Sequence, residues 1–102
     1  MLSLSKVLPL LNDMKLNPNN PHEFTMTIEG RPDLQVDWDA EYNKQRHNRL
    51  VDAIHEHMDD DVSADVFMQT VLDTIRESAD YHQQRASVAK QYMDAVSSVI
   101  PF

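Results

Sequence analysis

Apolar side chains recur every three or four positions over residues 4–16, at Leu4, Val7, Leu8, Leu11 and Met14, behind a candidate N-cap at Ser3 or Ser5. That spacing predicts a short N-terminal helix. Pro9 lies inside the run, so the helix either begins near Pro9, where a missing N–H costs little, or begins at Ser5 and kinks. The following Asn17-Pro18-Asn19-Asn20-Pro21 reads as a loop, because each proline pushes its predecessor out of the α region.

Over residues 23–38 the period drops to two. Phe24, Met26 and Ile28 alternate with Thr25 and Thr27, and beyond Glu29-Gly30-Arg31-Pro32-Asp33 the residues Leu34, Val36 and Trp38 alternate with Gln35 and Asp37. The pattern predicts a β-hairpin. Two strands alone are marginal in water, so the six apolar residues should pack against helices.

Residues 39–100 contain neither Gly nor Pro, and the region is expected to be helical. A helix over 39–58, capped by Asp37 or Asp39, turns Tyr42, Leu50, Val51, Ile54 and Met58 toward the core. Asp59-Asp60-Asp61 interrupts it, and Ser63 caps the next helix, whose positive end those aspartates favour. From there Phe67, Val71, Ile75, Ala79 and His82 lead into Ala86, Ala89, Met93, Val96 and Ile100 along one stripe, which Met68, Leu72 and Tyr92 widen.

Unbroken over 63–100, such a helix would be ~57 Å long at 1.5 Å per residue. A compact domain of ~100 residues is only ~35 Å across. Two arrangements resolve the conflict. In one, the helix breaks near Ser78-Ala79-Asp80, where Asp80 and Gln83 form a capping-box pair, and its halves fold together. In the other, it projects and lays Val71, Ile75, His82, Ala86, Ala89, Met93 and Val96 against a second copy. The lack of Gly, Pro or a polar turn cluster at the junction favours the projecting helix and a homodimer. The expected fold class is α+β and mainly helical, in a single domain over residues 1–102: a short N-terminal helix, one β-hairpin, then two or three helices including a long C-terminal one.

Composition narrows the function classes. An apolar fraction of 41% with mean hydropathy −0.54 suits a globular protein, and no apolar run reaches membrane-spanning length. The first eleven residues are apolar enough to raise a signal peptide, but their only Lys lies inside the stretch and Asn12-Asp13 follows it, so the segment reads as structural. Without cysteine, nothing marks an oxidising compartment, and a cytoplasmic location is the simplest expectation.

Seventeen Asp and Glu against nine Lys and Arg give a net charge of −8, which disfavours direct nucleic-acid binding and favours a protein partner with a basic surface. Solubility alone is the competing explanation. The acids concentrate locally: Asp52, Glu56 and Asp60 follow an i, i+4 line, with Asp59, Asp61 and Asp65 close by. This patch can steer toward a basic surface, including a nucleic-acid-binding site that it would occupy as a competitor.

Candidate chemistry is thin. His55 and His57 stand two apart on a helix, about 200° around its axis, and cannot pinch one ion; His55 with Asp59 is too few ligands for a specific site. Glu56-x-x-Asp59 and Glu77-x-x-Asp80 each place two carboxylates on one helical face, an arrangement able to hold Mg²⁺ and a nucleotide's phosphates. That spacing is similar to the paired carboxylates of all-helical nucleotide pyrophosphatases of the MazG type. Their first pair is usually two Glu, and the Lys and Asn neighbours that complete such a site are not evident here.

Lys44, Arg46, His47 and Arg49 make a basic island whose neighbours Glu41 and Asp52 favour local pairing. His22 and His82 stand alone, and no nucleophile triad, phosphate loop or zinc-finger spacing occurs. The sequence therefore points to a non-enzymatic interaction module, without cofactor, that binds or inhibits a partner through its acidic patch. A homo-oligomeric assembly factor is the first alternative, and the helical nucleotide hydrolase the second.

Overall fold

A computed structural model describes residues 1–16, 25–28, 30–38, 43–58, 60–76 and 85–100. The chain opens with a two-residue strand, β1 (Leu2–Ser3), and passes directly into helix α1 (Leu4–Asn12). Ser3 is the N-cap in extended conformation, and Pro9 lies within the helix rather than at its start. Its ring is exposed, as is Ser5, whose carbonyl loses the bond that the residue four positions on would supply. Leu4, Val7, Leu8 and Leu11 are buried on the opposite side.

The helix stops earlier than its periodicity suggested. Met14, at helical spacing from Leu11, instead opens strand β2 (Met14–Leu16), because its backbone finds partners in β3 (Thr25–Ile28). With β4 (Arg31–Asp37) these form an antiparallel sheet in the order β2-β3-β4, so the expected hairpin gains a third strand. One face carries Met14, Met26, Ile28, Leu34 and Val36, all buried; α2 packs against β3 and α4 against β4. The marginal hairpin is thus stabilised on an edge and on a face. Phe24 and the loop at 17–21 lie outside the described residues.

The β3–β4 turn is tighter than expected. Arg31 already pairs with Ile28, and the register shifts before Thr27 pairs with Gln35, which places Pro32 where no ladder N–H is required. Gly30 has φ +81°, a left-handed conformation that favours glycine, at the tip of this turn. Arg31 and Asp33 close the bulge with two parallel hydrogen bonds of 3.1 and 3.0 Å.

Helix α2 (Asn43–His55) follows, with its predicted first turn and Tyr42 outside the described residues. It ends at His55 rather than Met58. Successive tight turns, His57 N–H to the Ile54 carbonyl and Met58 N–H to the His55 carbonyl, carry Met58 off the apolar face, where it is 41% exposed rather than buried. A two-residue strand, β5 (Asp61–Val62), then pairs antiparallel with β1. Ser63 caps α3 (Ala64–Arg76) as expected, its Oγ accepting from the Val66 N–H at 3.2 Å.

The long stripe proves to be two helices. α3 ends at Arg76, α4 spans Arg85–Val99, and the two pack against each other. The fold-back arrangement replaces the projecting one; the expected break near Asp80 lies outside the described residues. A radius of gyration of 12.6 Å and extents of 35 × 32 × 19 Å fit the ~13 Å expected for 100 residues in one compact body.

The inward face of α4 is Val88, Ala89, Tyr92, Ala95 and Val96, rotated from the predicted stripe, so that Ala86 is exposed. Val71, Ala89 and Val96, assigned to a dimer contact, are buried in the chain's own core and offer no surface to a second copy. Met93 is half-buried against that core; the Ile75 side chain and His82 are outside the described residues.

Candidate functional site

The acidic segment is organised by the connection between α2 and α3. Asp52 and Glu56 stand one turn apart at the end of α2, and both are exposed. The chain then folds back on itself, with the Asp60 N–H bonded to the His57 carbonyl at 2.9 Å. Asp61 lies on β5 opposite Ser3, with Val62 opposite Leu2. Leu2 is fully buried, so this short ladder roots the acidic turn in the core.

Beyond Ser63, Asp65 occupies the first turn of α3, where the partial positive charge of the helix end favours a carboxylate. Asp52, Glu56, Asp60, Asp61 and Asp65 are all exposed, and no ion pair joins any of them to another described residue. The structure therefore presents five of the six predicted carboxylates on one α2–β5–α3 connection; Asp59 is outside the described residues. Apolar Met58 and Val66 are exposed within the same stretch.

The metal-dependent alternative rests mostly on positions outside the described residues. Of Glu56, Asp59, Glu77 and Asp80, only Glu56 is described. Among the described residues no group of three or more His, Asp or Glu is placed to hold a metal ion, and His55 and His57 are both solvent-exposed. None of the described helices is long and apolar enough to cross a membrane.

The basic island needs correction. His47 is only 2% exposed and belongs to the core, between Lys44 and Arg49, which are exposed. Its Nε2 lies 2.7 Å from the Leu11 carbonyl, which can only accept, so Nε2 carries the proton. Nδ1 then accepts from the Tyr92 hydroxyl at 2.6 Å, and the two rings stack with centroids 5.7 Å apart.

Trp38 meets Tyr92 edge-on, with ring centroids 6.0 Å apart. Burial pushes the Tyr92 phenol far above its ordinary range, against a smaller opposing effect of Trp38. Desolvation pulls His47 below the ordinary histidine value, with the Leu11 carbonyl acting the other way. The signal for this chain of polar groups was present in the sequence: His47 is in register with Leu50 and Ile54 on the buried face of α2.

A second acidic surface lies between β4 and α4, a groove of about 260 Å³ bordered by Asp33, Asp37 and Asp94. Two of the three are occupied: Asp33 by Arg31, and Asp37 by the Thr25 hydroxyl at 2.7 Å. The Asp52–Asp65 connection is the less neutralised of the two surfaces.

Comparison with known proteins finds no matching family model, no matching curated protein and no matching solved structure. The site is read from its own chemistry.

Proposed function

We propose that this chain is a small non-enzymatic protein-binding module that engages, and by occupancy inhibits, a partner with a basic surface. The observation that carries the reading is the group of five exposed carboxylates without ion pairs to described residues, held on a connection that the β1–β5 ladder fixes to the core. An ordered anionic face loses less freedom on docking than a loose acidic tail, and its field raises the encounter rate with a cationic surface.

A nucleic-acid-binding protein fits this description, because its phosphate-binding site offers spaced cations to an array of fixed carboxylates. The half-exposed Val66 and Met58 supply apolar contact beside the charges, which a lasting complex needs at its centre. A cytoplasmic setting agrees with a cysteine-free chain.

The test is affinity capture with the intact chain and with a variant carrying D52N, E56Q, D60N, D61N and D65N. All five positions are exposed, so the variant keeps the core. Basic proteins retained by the intact chain and lost by the variant support the reading. Retention of the same proteins by both overturns it.

A further inference from the structure

Strand β4 pairs with β3 on one side only, so its other side is a sheet edge. Which of its backbone groups point outward follows from the ladder. In an antiparallel pair, residues alternate between turning N–H and C=O toward the neighbouring strand and turning both away from it. Asp37 turns both away, because the Gln91 side chain of α4 bonds to each of them, at 2.7 and 3.3 Å. Val36, opposite Met26, is therefore bonded to β3, and Gln35, opposite Thr27, again turns its N–H and C=O outward. Gln35 is exposed, and no described residue bonds to either group.

The Gln91 contact shows what this edge takes. A side-chain amide carries the donor and acceptor of a peptide group, and at Asp37 that of Gln91 makes the two bonds that a residue of an added strand would make. Gln91 thus caps one end of the edge, and two residues along β4, at Gln35, the same pair of groups stands open. Beside it runs the groove of about 260 Å³ between β4 and α4, where Asp94 and Ser98 continue the row that Gln91 begins on the helix.

The pleat sorts the side chains of any strand added here. A residue opposite Gln35 shares the sheet face of Gln35 and Asp37, while its two neighbours point to the other face, where Leu34 and Val36 are buried and α4 packs. Asp94 lines the groove from α4, is exposed, and has no ion pair with a described residue. The described lining residues include Asp33, Asp37 and Asp94 but no Lys or Arg, so the groove suits a cationic strand. A second copy of β4 fits less well, because antiparallel pairing centred on Gln35 sets Asp37 of each chain against Asp33 of the other.

We propose that the open β4 edge at Gln35 is a docking site for an extended basic segment of a partner polypeptide, which adds antiparallel to the sheet as a further strand. One residue of the segment exchanges N–H and C=O bonds with Gln35, and a lysine or arginine next to it in sequence turns toward α4 and pairs with Asp94. The site is separate from the acidic α2–α3 connection and does not depend on that connection binding a partner.

The experiment titrates the isotope-labelled full chain with a short blocked peptide of alternating lysine and threonine, and reads amide shifts and hydrogen exchange. The expected result is saturable binding that slows exchange of the Gln35 N–H at least about tenfold, with no such change from a peptide of alternating glutamate and threonine. Two backbone-methylated peptides separate strand addition from charge attraction. N-methylation at the threonines removes the donors aimed at Gln35 and should lower affinity about tenfold, whereas N-methylation at the lysines, whose N–H groups face away from β4, should change it little. The chain carrying D52N, E56Q, D60N, D61N and D65N should show the same slowing at saturating peptide, which reads this site apart from the acidic connection. Unchanged exchange at Gln35 in the intact chain overturns the inference. So does equal binding of the two methylated peptides, equal binding of the glutamate peptide, or loss of the slowing in the five-site variant.

Discussion

The Tyr92 hydroxyl donates to Nδ1 of His47 across 2.6 Å, and this bond ties the C-terminal helix to α2 at the centre of the molecule. Tyr92 is fully buried, and so is its partner but for 2%. Through the other ring nitrogen the connection continues to the Leu11 carbonyl at the end of α1. A single line of donors and acceptors thus links three helices that are distant in sequence.

Removing one member should cost more than one ordinary hydrogen bond. Tyr92→Phe keeps the ring but leaves Nδ1 of His47 buried without the hydroxyl that donates to it. The expected loss is about 1–3 kcal/mol in denaturant unfolding, the cost of stranding a buried polar group.

Acid should act on the same line. His47 has a folded-state pKa below its ordinary value, so its contribution to stability is complete above about pH 6.5 and is lost as the pH falls through the lower folded-state value. The physical conflict is that a protonated Nδ1 would point a second donor at Tyr92. Denaturation midpoints measured from neutral to mildly acid pH should fall for the intact protein, and fall less for His47→Gln.

Gln91 protects the edge of the sheet. Its Oε1 accepts the Asp37 N–H at 2.7 Å and its Nε2 donates to the Asp37 carbonyl at 3.3 Å, so an α4 side chain substitutes for a neighbouring strand. Gln91→Ala should destabilise the protein by about 1–2 kcal/mol in unfolding experiments and raise its tendency to self-associate through β4. Gln91→Leu, similar in size without the amide, should show the same loss.

Self-association through the α3–α4 stripe is not expected, because Val71, Ala89 and Val96 are already buried within one chain. Sedimentation equilibrium over a wide concentration range should give the mass of a single 11.8 kDa chain. A concentration-independent dimer would show that another surface, outside this stripe, mediates contact.

Much of the architecture was legible because period and chemistry agreed. Ser63 was readable as a cap, and the alternation at Met26–Ile28 and Leu34–Val36 as strands, since each placed apolar groups on one face. Met14 was misread because one residue fits a helical stripe and a strand equally well, and only the distant pairing with Ile28 decides between them. The separation of α3 from α4 was underweighted for a related reason. Tertiary packing divides a stripe that carries no Gly or Pro to announce the break.

The acidic face was legible as a run of residues, but its attachment to the core was not. Pairing of Leu2–Ser3 with Asp61–Val62 spans more than half of the chain and leaves no local signature. His47 was obscured by its charged neighbours, although its spacing to Leu50 and Ile54 marked it as inward-facing.

The central claim is that the position of the carboxylates, and not bulk acidity, selects the partner. The most direct measurement compares two variants of equal net charge by partner affinity: D52N/D60N/D61N on the α2–α3 connection, and D13N/D73N/D94N at exposed sites elsewhere. The account predicts that the first loses at least about tenfold in affinity, more than 1.4 kcal/mol, while the second stays close to the intact chain. Equal losses in both would contradict it and reduce the acidic face to a contributor to net charge.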